Sequence, residues 1–184
     1  MAASSDEELM LAYAGGDAGA FEALYAKHKG AVFRFVLRSV KARGEAEELF
    51  QDVWMKVIEA RGRYTPRAKF TTWLYTIAHH RLVDHWRAKG LTLVSLDDED
   101  KPVAQAVADP GSEPQRVVEA EQTLERLSAA LAALPLAQRE AFLLHHEGGL
   151  GIAEIAAATG SAEEAAKSRL RYAMTRLREA IGDD

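Results

Sequence analysis

No cysteine occurs anywhere in the chain. That excludes disulfides and thiolate metal sites, and it suits a reducing compartment. Long uncharged apolar runs are missing as well: none approaches the roughly 18–20 residues a membrane span needs. The opening residues, MAASSDEEL, are acidic and lack the basic-then-apolar order of a signal peptide. Together these absences lead us to expect a cytoplasmic protein with no membrane insertion. Strand signals are scarce, with no β-branched alternation longer than LTLVSL. There is no glycine-rich phosphate loop, no nucleophile elbow and no HExxH, so an enzyme has little support.

What is present is an ordinary globular composition, 48% hydrophobic and 28% charged over 184 residues. The charge is segregated. Residues 1–26 carry a net −5, residues 27–89 +8, residues 90–134 −6 and residues 135–184 −2. Within the last part, Lys167 to Arg178 holds five basic residues and no acid. A polyanion senses potential only within a Debye length of about 8–10 Å, so two basic patches on a chain of net charge −5 remain attractive to one.

Every strongly periodic stretch reads as helix. Ser4 or Ser5 is placed to cap a first helix, Asp6–Ala14, ending at Gly15-Gly16. Asp17 caps a second that runs until Gly44, and a third spans Glu45–Ala60. After the break in RGRYTPRAKF, a fourth helix continues to Gly90. From Leu91 to about Pro114, SLDDEDKPVAQAVADPGSEP offers almost nothing to bury and reads as a linker. Helical periodicity resumes over Val117–Ala133, from Pro135 as a first helical residue to Glu147, over Ile152–Ala158 and over Glu163–Ile181. The expected fold class is all-α: two small helical domains, residues 1–90 and 115–184, joined by an acidic flexible linker at residues 91–114.

Three stretches carry chemistry. In IAEIAAATGSAEEAAKSRLRYAMTRLRE a short helix, a turn at Gly160 and a longer basic helix make a helix-turn-helix. Ala166, Leu170, Ala173, Met174, Leu177 and Ile181 face inward, leaving Lys167, Ser168, Arg169, Arg171 and Arg176 for phosphates and base edges. In EAEELFQDVWMKVI an apolar face opposes a stripe of Glu47, Glu48, Gln51, Asp52 and Met55 that lacks an interleaved cation. Such a row repels itself and is relieved by a basic partner. In FTTWLYTIAHHRLVDHW, Phe70, Trp73, Leu74 and Ile77 share one face while Leu82, Val83 and Trp86 cluster nearly opposite. Thr72, Tyr75, Thr76, His79 and His80 fill a polar aromatic flank. Neither His79-His80 nor His145-His146 can chelate as a pair, because adjacent helical residues point about 100° apart, and we expect no metal and no cofactor.

Taken in order, AEELFQDVWMKV, FTTWLYTIAHHRLVDHWR, the acidic linker, LPLAQREAFLL, EIA and KSRLRYAMTRLRE resemble a bacterial extracytoplasmic-function (ECF) sigma factor over nearly the whole chain. The resemblance implies a four-helix promoter-melting domain (sigma region 2) and a C-terminal helix-turn-helix domain (sigma region 4). It implies core RNA polymerase as partner through its β′ clamp and β flap, promoter DNA as ligand, and an anti-sigma factor as regulator. Glu47, Glu48, Leu49, Gln51, Asp52 and Met55 would meet the polymerase. Arg63, Tyr64, Arg67, Lys69, Thr71, Thr72, Trp73, Tyr75, Thr76, His79 and His80 would capture the −10 strand, where unstacked bases need flat surfaces and cations. Arg139, Lys167, Ser168, Arg169, Arg171 and Arg176 would serve the −35 element, and Asp97, Asp98, Glu99 and Asp100 would mimic a polyanion in the polymerase's nucleic-acid path.

Three departures from the family pattern stand out. His80 replaces a usual Asn, Thr159 and Ser161 replace an apolar pair around the turn glycine, and Glu164-Ala165-Ala166 replaces Gly-Thr-Val. With Glu163 beside Glu164 at the groove-facing end, a thinner helix-turn-helix core and unusual −35 reading are expected. Two alternatives come from other classes: a stand-alone helix-turn-helix regulator, and a helical adaptor or anti-sigma-like protein. Neither needs both the acidic helix and the aromatic one.

Overall fold

The computed structural model describes residues 4–91 and 116–182. Eight α-helices occupy them: α1 (Asp6–Ala14), α2 (Ala18–Val40), α3 (Arg43–Ala60), α4 (Phe70–Ala88), α5 (Arg116–Ala133), α6 (Leu136–His146), α7 (Ile152–Thr159) and α8 (Glu163–Ile181). A single 3-10 turn, Arg61–Arg63, follows α3, and no strand occurs among the described residues. The acidic block Asp97 to Asp100 lies outside the described residues.

The first helices start where their caps put them. Ser5 Oγ accepts from the Glu8 amide at 3.2 Å while Glu8 Oε2 accepts from the Ser5 amide at 2.8 Å, a capping box that satisfies two otherwise orphan donors. Asp17 accepts from the amides of Gly19 and Ala20 to open α2. That helix stops at Val40 rather than Gly44, because Lys41 takes a φ of 68° and turns its amide back to the Leu37 carbonyl. Gly44 therefore sits inside α3, which begins two residues before the expected Glu45. Arg43 thus joins α3, and its Nε donates to Glu47 Oε1 at 3.1 Å, so the acidic stripe carries one cation after all. Pro135, expected as the first helical residue, instead caps α6 from outside with extended backbone, so the helix begins one residue later, at Leu136.

In the N-terminal half α2 packs on α1 and α3, and α4 packs on α2 and α3. Met10, Leu24, Phe35, Val53, Phe70, Leu74 and Leu82 are buried between them. The two apolar sides of α4 are both used: Leu74 is buried at one, Leu82 and Trp86 at the other. In the C-terminal half α8 packs on α5, α6 and α7 around Leu143, Leu144, Leu150, Ile155, Ala166, Ala173 and Leu177. Gly160 closes α7 with a φ of 64°, the left-handed geometry that disfavours any side chain with a Cβ. At that turn, Thr159 Oγ1 donates to the Ile155 carbonyl and pairs with Ser161 Oγ at 2.9 Å. Local hydrogen bonds therefore stand where two apolar side chains would have packed.

The two halves touch. α4 rests on α7, and α2 on α5 and α6.

Candidate polymerase and nucleic-acid interfaces

The acidic stripe of α3 is open to solvent. Glu47, Glu48, Gln51 and Asp52 are exposed, and Met55 is 52% exposed, a large apolar side chain left among carboxylates. Leu49, placed with them in the sequence, is buried at the base of the same helix. It supports the stripe from beneath rather than contributing surface.

Next along the chain, the loop over residues 61–69 presents Arg63, Arg67 and Lys69 to solvent. Tyr64 is buried, its ring 4.9 Å from that of half-buried Trp73, and both lie beside Phe70. Burial, and then the charges of Glu7 and Asp6, push the Tyr64 hydroxyl's pKa up. Thr71 and Thr76 are half-buried, Thr76 Oγ1 donating to the Thr72 carbonyl, and His80 is exposed. Two surfaces of opposite sign and different chemistry thus lie on one helical bundle.

The rest of the α4 flank does not face solvent. Tyr75 is 1% exposed, Thr72 5% and His79 7%. His79 Nδ1 donates to Glu140 Oε1 of α6 at 2.6 Å. Tyr75 lies edge-on to Phe35 and against Gly148, where a Cβ would come within 3.1 Å of the tyrosine ring and 2.7 Å of the Leu144 carbonyl. Burial first, then the Glu147 charge, drives the Tyr75 hydroxyl's pKa well above its ordinary value. Lys69 reaches Glu154 of α7 at 3.0 Å, and Arg34 and Arg38 of α2 both pair with Glu147. Hydrogen bonds from the Gly151 amide and then from Lys69 hold the Glu154 carboxyl below the usual range.

Arg139, read from the sequence as a −35 contact, is 7% exposed. Its Nε donates to the Leu131 carbonyl, Nη2 to those of Ala132 and Leu134, and Nη1 crosses to the Ser39 carbonyl of α2 at 3.0 Å. Burial lowers its pKa from the ordinary guanidinium value. Its four hydrogen bonds serve carbonyls at the end of α5 and across the joint. On α8, Lys167 and Arg171 are exposed, Arg171 lying 5.1 Å from the Tyr172 ring centroid, while Ser168 and Arg169 are half-buried. Arg176 is turned inward to Gln138 Oε1 at 3.2 Å. Glu163 and Glu164 are exposed in the first turn.

Comparison with known proteins fits this geometry. Residues 24–92 match Sigma-70 region 2 and residues 124–177 match Sigma-70, region 4, together well over half of the chain. The RNA polymerase sigma factor CarQ of Myxococcus xanthus is 34% identical over 169 residues, 91% of this chain and 92% of the relative. The chain belongs to the ECF sigma factors.

The ECF RNA polymerase sigma factor RpoE of Cereibacter sphaeroides is 35% identical over 166 residues, 89% of this chain and 87% of that one. Among solved structures, sigma factor RpoE in complex with the anti-sigma factor NepR from Bartonella quintana superposes with a TM-score of 0.65 at 26% identity, covering 88% of this chain and 96% of that one. CnrH in complex with the cytosolic domain of CnrY gives 0.68 at 21% identity, over 96% of both chains, and speaks for the fold alone. It is accordingly a sigma factor for transcription initiation, a partner of core RNA polymerase and promoter DNA. No helix among its described residues is long and apolar enough to cross a membrane.

Several residues of the joint escaped the sequence reading: Glu140, Glu147 and Glu154 on one side, Arg34 and Arg38 on the other. Each pairs with a residue far away in the chain, so no local spacing marks it.

Proposed function

We propose that residues 1–90 dock on polymerase and capture the −10 strand, and that residues 115–184 read the −35 duplex, with residues 91–114 as the acidic tether. The observation that carries this is the pairing, on one bundle, of an exposed acidic stripe with a basic, aromatic loop. Glu47, Glu48, Gln51, Asp52 and Met55 offer a basic protein surface such as the β′ clamp a row of carboxylates around one apolar contact. Arg63, Arg67 and Lys69 offer cations to a strand's phosphates, and half-buried Trp73, backed by the buried Tyr64 ring, offers a stacking face. The C-terminal half meets duplex DNA through Lys167 and Arg171, and meets the polymerase's β flap with the remainder of its surface.

Tyr75 and His79 belong to the strand-capturing set and are covered here by the C-terminal half, and Thr72 of the same set is buried, whereas the α3 stripe is open. Polymerase therefore docks first, and DNA capture follows separation of the halves. The protein itself performs no covalent chemistry; catalysis belongs to the polymerase, and the setting is the cytoplasm. Likeness to an RpoE solved with its anti-sigma factor supports a similar regulator for this chain.

The test is run-off transcription with purified core polymerase, its salt concentration stated because phosphate contacts are salt-sensitive. His80→Ala alters an exposed side chain and should leave stability within about 0.5 kcal/mol. Trp73→Ala removes one stacking face. Each should reduce open-complex formation without loss of polymerase binding. Wild-type transcription from both variants removes the assignment.

A further inference from the structure

The loop over residues 61–69 is held at both ends by a single short helix. At its start, the Arg61 guanidinium lies 5.1 Å from the centroid of the Tyr13 ring and donates from Nη1 to the Tyr13 hydroxyl at 3.3 Å. At its end, Lys69 is the N-cap of α4 but makes no side-chain capping hydrogen bond. The Phe70 amide instead donates to Glu7 Oε1 at 2.6 Å. The first turn of a helix exposes donors that need an acceptor, and its dipole favours a negative charge there. Glu7 supplies both from a different helix.

That helix is itself anchored. Asp6, adjacent to Glu7, takes Lys27 Nζ on one oxygen at 2.7 Å and His28 Nε2 on the other at 2.8 Å, fixing α1 to α2. The His28 ring stands 5.4 Å from that of Phe70, so the anchor and the cap meet at the same corner. Ser5 and Glu8 close the capping box that keeps Glu7 in a formed helix. Between the two fastened ends lie the exposed Arg63 and Arg67 and the buried Tyr64.

We infer that α1 is a splint for the strand-capturing loop, and that Glu7 is a positioning residue for −10 recognition that acts through the start of α4. The inference rests on the proposed role of residues 61–80. A loop that leads into a capped helix start presents its cations, and Trp73 backed by Tyr64, in one arrangement. With the cap gone, the first turn of α4 frays and strand binding must restore the order at its own expense. Glutamine keeps a carbonyl acceptor at this position and alanine keeps none, so the two substitutions separate capping from mere packing.

The experiment uses the full chain assembled with core polymerase, and a fork-junction DNA with an unpaired −10 strand as probe. Glu7→Ala should weaken fork-junction binding about five- to tenfold, in line with loss of a cap, and should lower permanganate reactivity of unpaired −10 thymines. Affinity for polymerase and for −35 duplex should stay at wild-type values. Glu7→Gln should recover most of the loss, and Tyr13→Phe, which removes only the hydroxyl that Arg61 reaches, should cost about twofold. Glu7→Ala behaving as wild type on the fork junction overturns the inference. So does an equal loss in Glu7→Ala and Glu7→Gln accompanied by lower polymerase affinity and a lower melting temperature, which would mark a purely structural role. Arg63→Ala and Trp73→Ala are measured alongside: if they too leave strand binding untouched, the proposed −10 role fails and takes the inference with it. If they lose binding while Glu7→Ala does not, only the splint fails.

Discussion

Lys167 stands in the first turns of α8 with its ammonium in solvent, one turn from the exposed carboxylates Glu163 and Glu164. Those acids favour the helix N-terminus by about 0.3–1 kcal/mol but repel a phosphate backbone brought to the same end. The local balance makes each remaining cation matter. Neutralising one phosphate contributes close to one unit of salt dependence, so Lys167→Ala should flatten the slope of log K against log salt by about 0.9 and weaken all duplexes alike. Titrating polymerase-bound chain against −35 duplexes at several salt concentrations reads this directly. An unchanged slope would place Lys167 away from the backbone. Arg139 belongs at the opposite extreme: its charge is spent on four carbonyls, and its removal would strand acceptors inside the joint rather than release a counterion.

Helix α1 illustrates how an element of nine residues is held by a few polar contacts rather than by a large apolar face. Burial pushes the Asp6 carboxyl up, yet the hydrogen bonds from Lys27 and His28 outweigh it and leave the group below its reference value of 3.8. A depressed carboxylate binds fewer protons folded than unfolded, so its stabilisation is complete above pH 3.8 and is lost as pH falls through the lower, folded value. Glu45, Glu59 and Glu154 are depressed as well, so acid should cost some stability outside α1 too. The difference between wild type and Asp6→Asn isolates the α1 anchor. It should be present near neutrality and should vanish in acid, as followed by denaturant unfolding on either side of pH 3.8. Most of the helices were legible beforehand, because caps and periodicity are local: Ser5, Asp17 and Gly160 mark their ends as the sequence says. The α2–α3 junction was not, since a positive φ at Lys41 answers to packing and has no signature in a lysine. The acidic stripe and the loop cations were legible as surface. Burial of Tyr75 and His79 was not, because it depends on what a second half of the chain lays over them.

Across the whole molecule, the joint between the halves combines an apolar cluster continuous through both, with Tyr75 against Gly148, and a set of charge pairs. Lys69 with Glu154, and Arg34 and Arg38 with the buried Glu147 carboxylate, all use exposed cations, and such solvent-screened pairs are worth about 0–1 kcal/mol each. Buried Tyr75 has a hydroxyl with no hydrogen-bond partner among the described residues, which opposes closure. His79 with Glu140 differs in that both members are buried, 2.6 Å apart. Removing one member of a buried pair typically costs about 3–5 kcal/mol, since the other stays desolvated and uncompensated. Here the molecule has an alternative to unfolding: parting the halves returns Glu140 to water. His79→Ala should therefore open the joint while both halves stay folded, and His79→Ala with Arg38→Glu should open it further. The chain has no cysteine, so thiols introduced by Ala26→Cys and Ala180→Cys are the only ones, and a fluorophore pair on them reports the separation without background. Wild type should lengthen on adding core polymerase, and His79→Ala should lengthen without it, with Glu140→Gln intermediate because an amide still meets the imidazole. A separation unchanged in His79→Ala, together with a lower melting temperature, would mean that the halves form one cooperative unit, and DNA capture would then need a route other than their parting.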